Sequence, residues 1–244
     1  MKRKTYHYTT IDSTNIKAKQ LAPTEEEGTV IIAEGQTMGK GRLGRSWLSK
    51  NGKGIYMSII LKPKADIMKV PSITSIGAAS VYLALREMGV ESKIKWPNDI
   101  LVGNKKICGI LTEISGDTNK VNYVIMGIGV NVNLEEYEIP EELKGMVTSL
   151  KIYLGRTIDK GNLSELILDN FDRLYAPFKD GGNISHVLHI CKENSSLLGK
   201  DIKVISGNEI RVGKALDINE SGELVVEFGD CLEAINSGEV SIRL

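Results

Sequence analysis

The sequence predicts an α+β protein in two unequal parts. Residues 1–195 interleave apolar strand-like runs with amphipathic helical stretches, and residues 196–244 switch to short alternating strands broken by Gly-containing turns. Two bulk observations support that division. At 244 residues the chain can bury one good core and carry a small second unit. Its 31 basic and 31 acidic side chains cancel, and its apolar fraction of 41% is ordinary for a globular chain. A net charge of zero argues against a broad nucleic-acid surface, which shows as a basic excess. Functional positive charge must therefore be local.

Thr5 to Thr9 reads as a short strand. Asp12-Ser13-Thr14 supplies capping side chains for a helix carrying Ile16, Ala18, Leu21 and Ala22, which Pro23 stops. Gly28 to Gln36 and Gly54 to Leu61 are apolar strands, predicted as neighbours joined by a long functional connection. Pro71 at a first helical turn opens a long helix with Ile73, Ile76, Ala79, Leu83 and Ala84 roughly on one face, and Gly89 ends it. Ser92 to Trp96 is a strand. Ile100 to Val102 and Lys106 to Ile114 flank the turn dipeptide Gly103-Asn104 and predict a hairpin. Val121 to Val132 reads as a central buried strand, and Gly127 and Gly129 within it point to close approach by a ligand or another backbone. Leu163 to Phe178 and Ile184 to Glu193 are amphipathic helices. Beyond Ser196, Asp201 to Ile205, Glu209 to Ile218, Glu223 to Phe228 and Glu239 to Leu244 have the spacing of a small antiparallel barrel with Gly207-Asn208, Ser221-Gly222 and Gly229-Asp230 turns.

Cys108, Cys191 and Cys231 are scattered in apolar runs, which fits reduced, buried thiols in a cytoplasmic protein. No apolar stretch reads as a membrane span, and polar residues follow Met1-Lys2-Arg3-Lys4 where a signal peptide needs an apolar run.

The chemistry concentrates in Gly39-Lys40-Gly41-Arg42-Leu43-Gly44-Arg45. Glycines let backbone N–H groups approach a ligand, while Lys and Arg supply charge and donor geometry suited to a phosphate. Residues 39–44 fit G-x-G-x-x-G, but Trp47 to Gly52 reads as loop where a dinucleotide fold needs a helix. The H-R-D and D-F-G of a kinase and the phosphate loop of an NTPase do not occur in the sequence. The bland reading is a solvated surface turn; three cations spaced by glycines and ending on Trp47 weigh against it. Lys95-Trp96-Pro97-Asn98-Asp99 adds a partly desolvated cation at a strand end, or a plain turn with an exposed lysine. Ser13-Thr14-Asn15 reads by propensity as a helix cap and Gln36 as a strand-end polar residue. His186, His189 and Cys191 lack an evident fourth ligand for a metal and read as ordinary helix residues.

Taken in order, these stretches resemble the biotin protein ligase family. Asp12-Ser13-Thr14-Asn15, Gln36 and the basic loop through Trp47 match it, as do Lys95 to Asp99, Lys106 to Leu111, Gly127 to Asn131 and Gly238 to Arg243. The resemblance covers nearly the whole chain. It implies a mixed sheet with helices, akin to class II aminoacyl-tRNA synthetases and lipoate ligases, followed by an SH3-like barrel. It implies ATP-dependent formation of biotinyl-5′-AMP with Mg²⁺ shielding the leaving pyrophosphate, then transfer to a lysine of a biotin carboxyl carrier protein. By motif position, Ser13, Thr14, Asn15 and Gln36 line the biotin site. Lys40, Gly41 and Arg42 touch biotin and phosphate, and Lys95 sits between the biotin carboxylate and the α-phosphate. Lys95 and Arg42 are thereby the catalytic pair. Gly39, Lys40, Arg42, Arg45, Trp47 and Asn131 hold the nucleotide, with Trp47 stacked on adenine. The loop is expected to fold over the adenylate. Asp99 is the one candidate considered for the proton of the acceptor lysine.

Two departures accompany the resemblance. The first family motif begins at Asp12, too early for the DNA-binding domain that some members carry, so DNA is not an expected partner; nor is a membrane, since no apolar stretch reads as a span. Leu43 stands where some relatives have a second arginine. A homodimer through a sheet edge is the assembly the resemblance suggests. The alternatives are a lipoate or related acyl-carrier ligase, and a biotin-binding regulator without catalysis. The complete pair of basic loop and Lys95 motif favours the biotin enzyme.

Overall fold

A computed structural model of the chain describes residues 3–117, 120–206, 209–236 and 239–242. The predicted Gly207-Asn208 turn, Gly238 and the predicted strand end at Arg243-Leu244 lie outside the described residues.

In chain order the elements begin β1 (Thr5–Ile11), α1 (Thr14–Leu21), β2 (Val30–Gln36), β3 (Gly54–Leu61), α2 (Ile73–Glu87), β4 (Lys93–Lys95) and β5 (Asp99–Val102). They continue β6 (Lys105–Gly116), β7 (Val121–Asn131), α3 (Leu150–Leu154), α4 (Lys160–Gly181) and α5 (Ser185–Glu193). The C-terminal strands are β8 (Asp201–Ser206), β9 (Glu209–Ile218), β10 (Leu224–Phe228), β11 (Cys231–Ile235) and β12 (Glu239–Ile242). The first seven strands form one mixed sheet, ordered β1-β2-β3-β7-β6-β5-β4. Only β1 and β2 run parallel; the other pairs are antiparallel. The rest form a small antiparallel sheet, ordered β11-β10-β9-β8-β12. This is the α+β architecture expected, with the predicted central strand β7 in the middle of the large sheet.

Local sequence explains the layers. All eight residues of β3 are buried, which requires cover on both faces. On one face Met57, Ile59, Ile110, Met126 and Ile128 pack against α2, α4 and α5 in one continuous core. That core extends into the small sheet through Ile202, Ala215, Leu224 and Val226. On the other face Ile31, Ile60 and Ile125 pack under Ala18 and Ala22 of α1 and the residue after it. Helix α4 starts where the Asp159 carboxylate accepts from Gly161 N and Asn162 N, and ends on Gly182 at φ 67°.

Three readings of the sequence, on Cys231, on Pro71 and on the lack of a span, need correction, and two elements, β11 and α3, were not anticipated. Strand β11 was not anticipated, and Cys231 on it is exposed rather than buried. Pro71 lies inside a 3₁₀ segment, Ile67–Ser72, so the α-helical bonding of α2 starts two residues later. The helical run 67–87 is, by length and composition, apolar enough to cross a membrane; here it is mostly buried in the core. Helix α3 is too short to show a periodicity, although Ser149 caps it by accepting from Ile152 N.

Phe171 is fully buried on α4 and stacks on Tyr175 with ring centroids 5.1 Å apart. Phe171→Ala is expected to lower the unfolding free energy by about 3–5 kcal/mol, read from a denaturant titration.

Candidate functional site

The face of the large sheet that carries α1 has a patch without side chains. Gly109 on β6 pairs with Gly129 on β7, and Gly127 pairs with Ser58 on β3 and Leu111 on β6. The space above is used. A Cβ on Gly129 would stand 2.5 Å from Trp47 Nε1, and one on Gly109 3.0 Å from Trp47 Cζ3. A Cβ on Gly127 would overlap Asn15 Oδ1. The glycines thus form the floor for the Trp47 indole and the Asn15 amide.

Above this floor lies a cavity of about 880 Å³. One end is neutral and buried. Ser13, Thr14 and Asn15, at 2%, 4% and 4% exposure, enter it at the start of α1. Ser13 occupies the cap position, yet its side chain makes no cap hydrogen bond. The others are held by a chain of contacts. Thr14 N donates to Gln36 Oε1 at 2.8 Å, and Gln36 Nε2 donates to Ser49 Oγ at 2.8 Å. Ser58 Oγ lies 2.8 Å from Thr14 Oγ1 and donates to Asn15 Oδ1 at 2.6 Å. Asn15 Nδ2 donates to Glu113 Oε2 at 2.8 Å, and Glu113 Oε1 takes Lys19 Nζ at 2.6 Å. Burial alone would raise the Glu113 carboxyl, but the hydrogen bonds from Lys19 and Asn15, with Lys19 and Lys40 nearby, hold it below its ordinary value. Its pairing therefore stabilises the fold above the ordinary carboxylate range and is lost as pH falls.

The remainder of the cavity is cationic. Lys40, Arg42, Arg45, Lys95, Lys106 and Lys200 line it against a single carboxylate, Asp99. The basic loop is a compact turn rather than an open tether. Gly41 N donates to Arg45 O at 2.7 Å, Trp47 N donates to Gly39 O at 2.8 Å, and Leu43 takes the left-handed conformation at φ 55°. Arg42 Nη1 donates to Asn98 Oδ1 at 2.7 Å, and Asn98 Nδ2 is fixed on Ile110 O at 3.1 Å. Lys106 pairs with Asp99 at 2.7 Å and lies over the Trp47 ring. Among the described residues Trp47 Nε1 and Asn131 Oδ1 are buried without a hydrogen-bond partner, and both residues line the cavity. Buried polar atoms are ordinarily paired, so these two single out this part of the cavity as the candidate site.

Ser13, Thr14, Asn15, Gln36, Lys40, Gly41, Arg42, Arg45, Trp47, Lys95 and Asn131 all line this one cavity. Gly39 does not; a Cβ there would run into Ser49 Oγ and Trp47 O, so it serves the turn. The structure adds Ser58, Asn98, Lys106, Glu113 and Lys200, none of which the motifs singled out for a role. His186 and His189 are exposed on α5, away from the cavity, while Cys191 is buried.

Comparison with known proteins agrees with this geometry. The family described as biotin/lipoate A/B protein ligase matches residues 7–131, and the biotin protein ligase C-terminal domain matches residues 197–243. The bifunctional ligase/repressor BirA of Bacillus subtilis is 34% identical over 238 residues, 97% of this chain and 73% of that protein. The biotin–[acetyl-CoA-carboxylase] ligase of Paracoccus denitrificans is 28% identical, over 94% of this chain and 96% of that protein. Among solved structures, the biotin protein ligase from Aquifex aeolicus in complex with biotin and ATP superposes with a TM-score of 0.83. It is 31% identical and covers 98% of each chain.

Asn98 is the anchor of the basic loop, so Asn98→Ala is expected to loosen it. Limited trypsin digestion should then cut after Lys40, Arg42 or Arg45 about tenfold faster, in line with loss of a charge-assisted hydrogen bond.

Proposed function

The chain belongs to the biotin/lipoate A/B protein ligase family, and from that membership we propose that it activates biotin with ATP and passes the biotinyl group to one lysine of a biotin carboxyl carrier domain. One observation carries the reading: a buried neutral pocket opens directly into a volume lined by six cations. A fused ureido ring needs a few donors and acceptors in a closed pocket, and a triphosphate needs concentrated positive charge. The names of the Paracoccus and Aquifex proteins, and the biotin and ATP held by the latter, support the same assignment.

The proposed chemistry has two steps. An oxygen of the biotin carboxylate attacks the α-phosphorus; the new O–P bond forms as the bond to pyrophosphate breaks. Two anions must meet, so fixed cations lower the barrier. Lys95 stands half-buried in the cavity wall and, among the described residues, makes no ion pair or side-chain hydrogen bond. Its charge is available to bridge carboxylate and phosphate. Arg42, clamped to Asn98, supplies the second cation from the loop, with Lys40 and Gly41 beside it. Arg45, Trp47 and Asn131 complete the nucleotide side, the indole against the adenine and Asn131 Oδ1 accepting a ligand hydrogen, while Gly39 shapes the turn that carries them. The amine of the acceptor lysine then attacks the acyl carbon, and AMP leaves with the C–O electron pair. Asp99, the one carboxylate among the described residues that line the cavity, is the group to which this reading gives the amine's proton. Closure of the loop keeps water from the mixed anhydride between the steps.

Mg²⁺ fits this arrangement as a companion of the phosphates. No group of three metal-ligating side chains forms among the described residues, and Asp99 offers one oxygen donor group at the cavity. The ion would offset the charge of the departing pyrophosphate. The same reading places a boundary at about residue 196, supported by strands β8 to β12 pairing only among themselves. It takes the cytoplasm as the compartment and neither DNA nor membrane as a partner, in keeping with a net charge of zero. A homodimer would join at an edge of the large sheet, β1 or β4.

Biotin-dependent exchange of labelled pyrophosphate into ATP tests the activity; exchange stimulated by lipoate and not biotin overturns it. Lys95→Ala is expected to cut that exchange at least about 100-fold, as for loss of one fixed transition-state charge, with an unchanged thermal midpoint. Arg42→Ala is expected to release biotinyl-AMP into solution about tenfold faster, followed by chasing labelled adenylate, because the loop loses its tie to Asn98.

A further inference from the structure

Glu113 is a carboxylate that the reaction does not use and that does not itself line the cavity. It lies on β6, two residues beyond Leu111, with its oxygens divided between Lys19 of α1 and Asn15. Building on the biotin reading above, we propose that Glu113 is a positioning residue that fixes the donor and acceptor polarity of the pocket through the Asn15 amide.

Hydrogen-bond valence carries the argument. Asn15 has two amide orientations of nearly equal shape. On one side it faces Glu113 Oε2 at 2.8 Å and the Leu111 carbonyl at 3.4 Å, and both accept only. The NH₂ must point there, since the reverse sets oxygen against two oxygens. Asn15 Oδ1 is thereby turned over Gly127, a cavity-lining residue, where Ser58 Oγ reaches it at 2.6 Å from within the sheet. Ser58 has one proton, and it goes to that oxygen. Thr14 Oγ1, 2.8 Å from Ser58 and 3.2 Å from Gln36 Oε1, cannot receive it and so keeps its lone pairs for other donors. Glu113 thus sets a wall that offers acceptors, the complement of a ring carrying N–H groups. Lys19 holds the carboxylate ionised and in place. A neutral amide at 113 removes the constraint. Asn15 can then turn over, donate to Ser58, and present N–H toward N–H on the ligand.

E113Q keeps the side-chain shape and tests this. The expected result is a KM for biotin raised about tenfold, the cost of one mispaired buried group, with kcat changed less than about twofold and an unchanged thermal midpoint. An unaltered KM in E113Q overturns the proposal, as does a fall in kcat that matches the rise in KM. A ligand-free readout separates this from the enzymatic reading. The Asn15 side-chain amide proton should resonate downfield in the wild-type protein and move upfield in E113Q; identical positions overturn the positioning role. A wild-type protein inert toward biotin defeats the assigned activity and leaves that resonance test standing.

Discussion

The site depends on three positions in two central strands having no side chain. Gly109, Gly127 and Gly129 keep the middle of the sheet bare on the face that carries α1. Any side chain there would collide with Trp47 or Asn15 and force either the basic loop or the start of α1 away from the sheet. Glycine inside a strand costs stability, of the order of 0.5–1 kcal/mol against alanine. The fold offsets that loss on the opposite face, where Ile110, Met126, Ile128 and Val130 of the same strands sink into the main core. One face is used for stability and the other for space.

Charge is arranged on the same division. The whole chain is neutral, yet one cavity gathers six cations and one carboxylate. Such a concentration repels itself, and local partners keep it tolerable. Lys106 is partly neutralised by Asp99, Arg42 rests on the neutral oxygen of Asn98, and Lys200 donates to Ser196 O. Lys40 lies near the Glu113 carboxylate, and Lys95 makes no ion pair among the described residues. The neutral end beside them has the opposite logic, since Ser58, Thr14, Asn15 and Gln36 satisfy one another and leave a shaped polar surface without net charge. A molecule that is apolar and amide-like at one end and anionic at the other matches both.

Much of this was legible in the chain. The strands of the large sheet, its central position for β7, and the long helices followed from apolar runs, caps and glycine stops. The cationic loop and the Lys95 motif stood out because charge and glycine are dense there. What escaped was whatever depends on pairing across the fold. Glu113 and Lys19 are 94 residues apart, and Arg42 and Asn98 are 56 apart, so no local pattern announces either contact. Ser58 looks like any residue of a buried strand. Ser13 carries a cap signature, and it does occupy the cap position, but the hydroxyl is not spent on capping. Propensity located the residue, and the fold leaves it lining the cavity. Strand β11 and the exposure of Cys231 were missed because an apolar run at a sheet edge reads the same as one in a core.

The small C-terminal sheet is built into the site rather than appended to it. Trp96, inside the Lys95 motif, is 5% exposed and donates its indole N–H to Gly222 O at 2.9 Å. Ile94 is bridged to Ser195, and Lys192 is held by Asp217 of β9. Lys200, at the entrance to β8, brings a cation to the cavity from that side. Because Trp96 and Ile94 flank Lys95, the lysine's position is set partly by residues more than a hundred positions downstream. The apolar core runs without a break from α2 into the small sheet, so the two units share the free energy that fixes this geometry. Removing the C-terminal strands would therefore expose part of the main core and take away the Gly222 carbonyl that holds Trp96 beside Lys95.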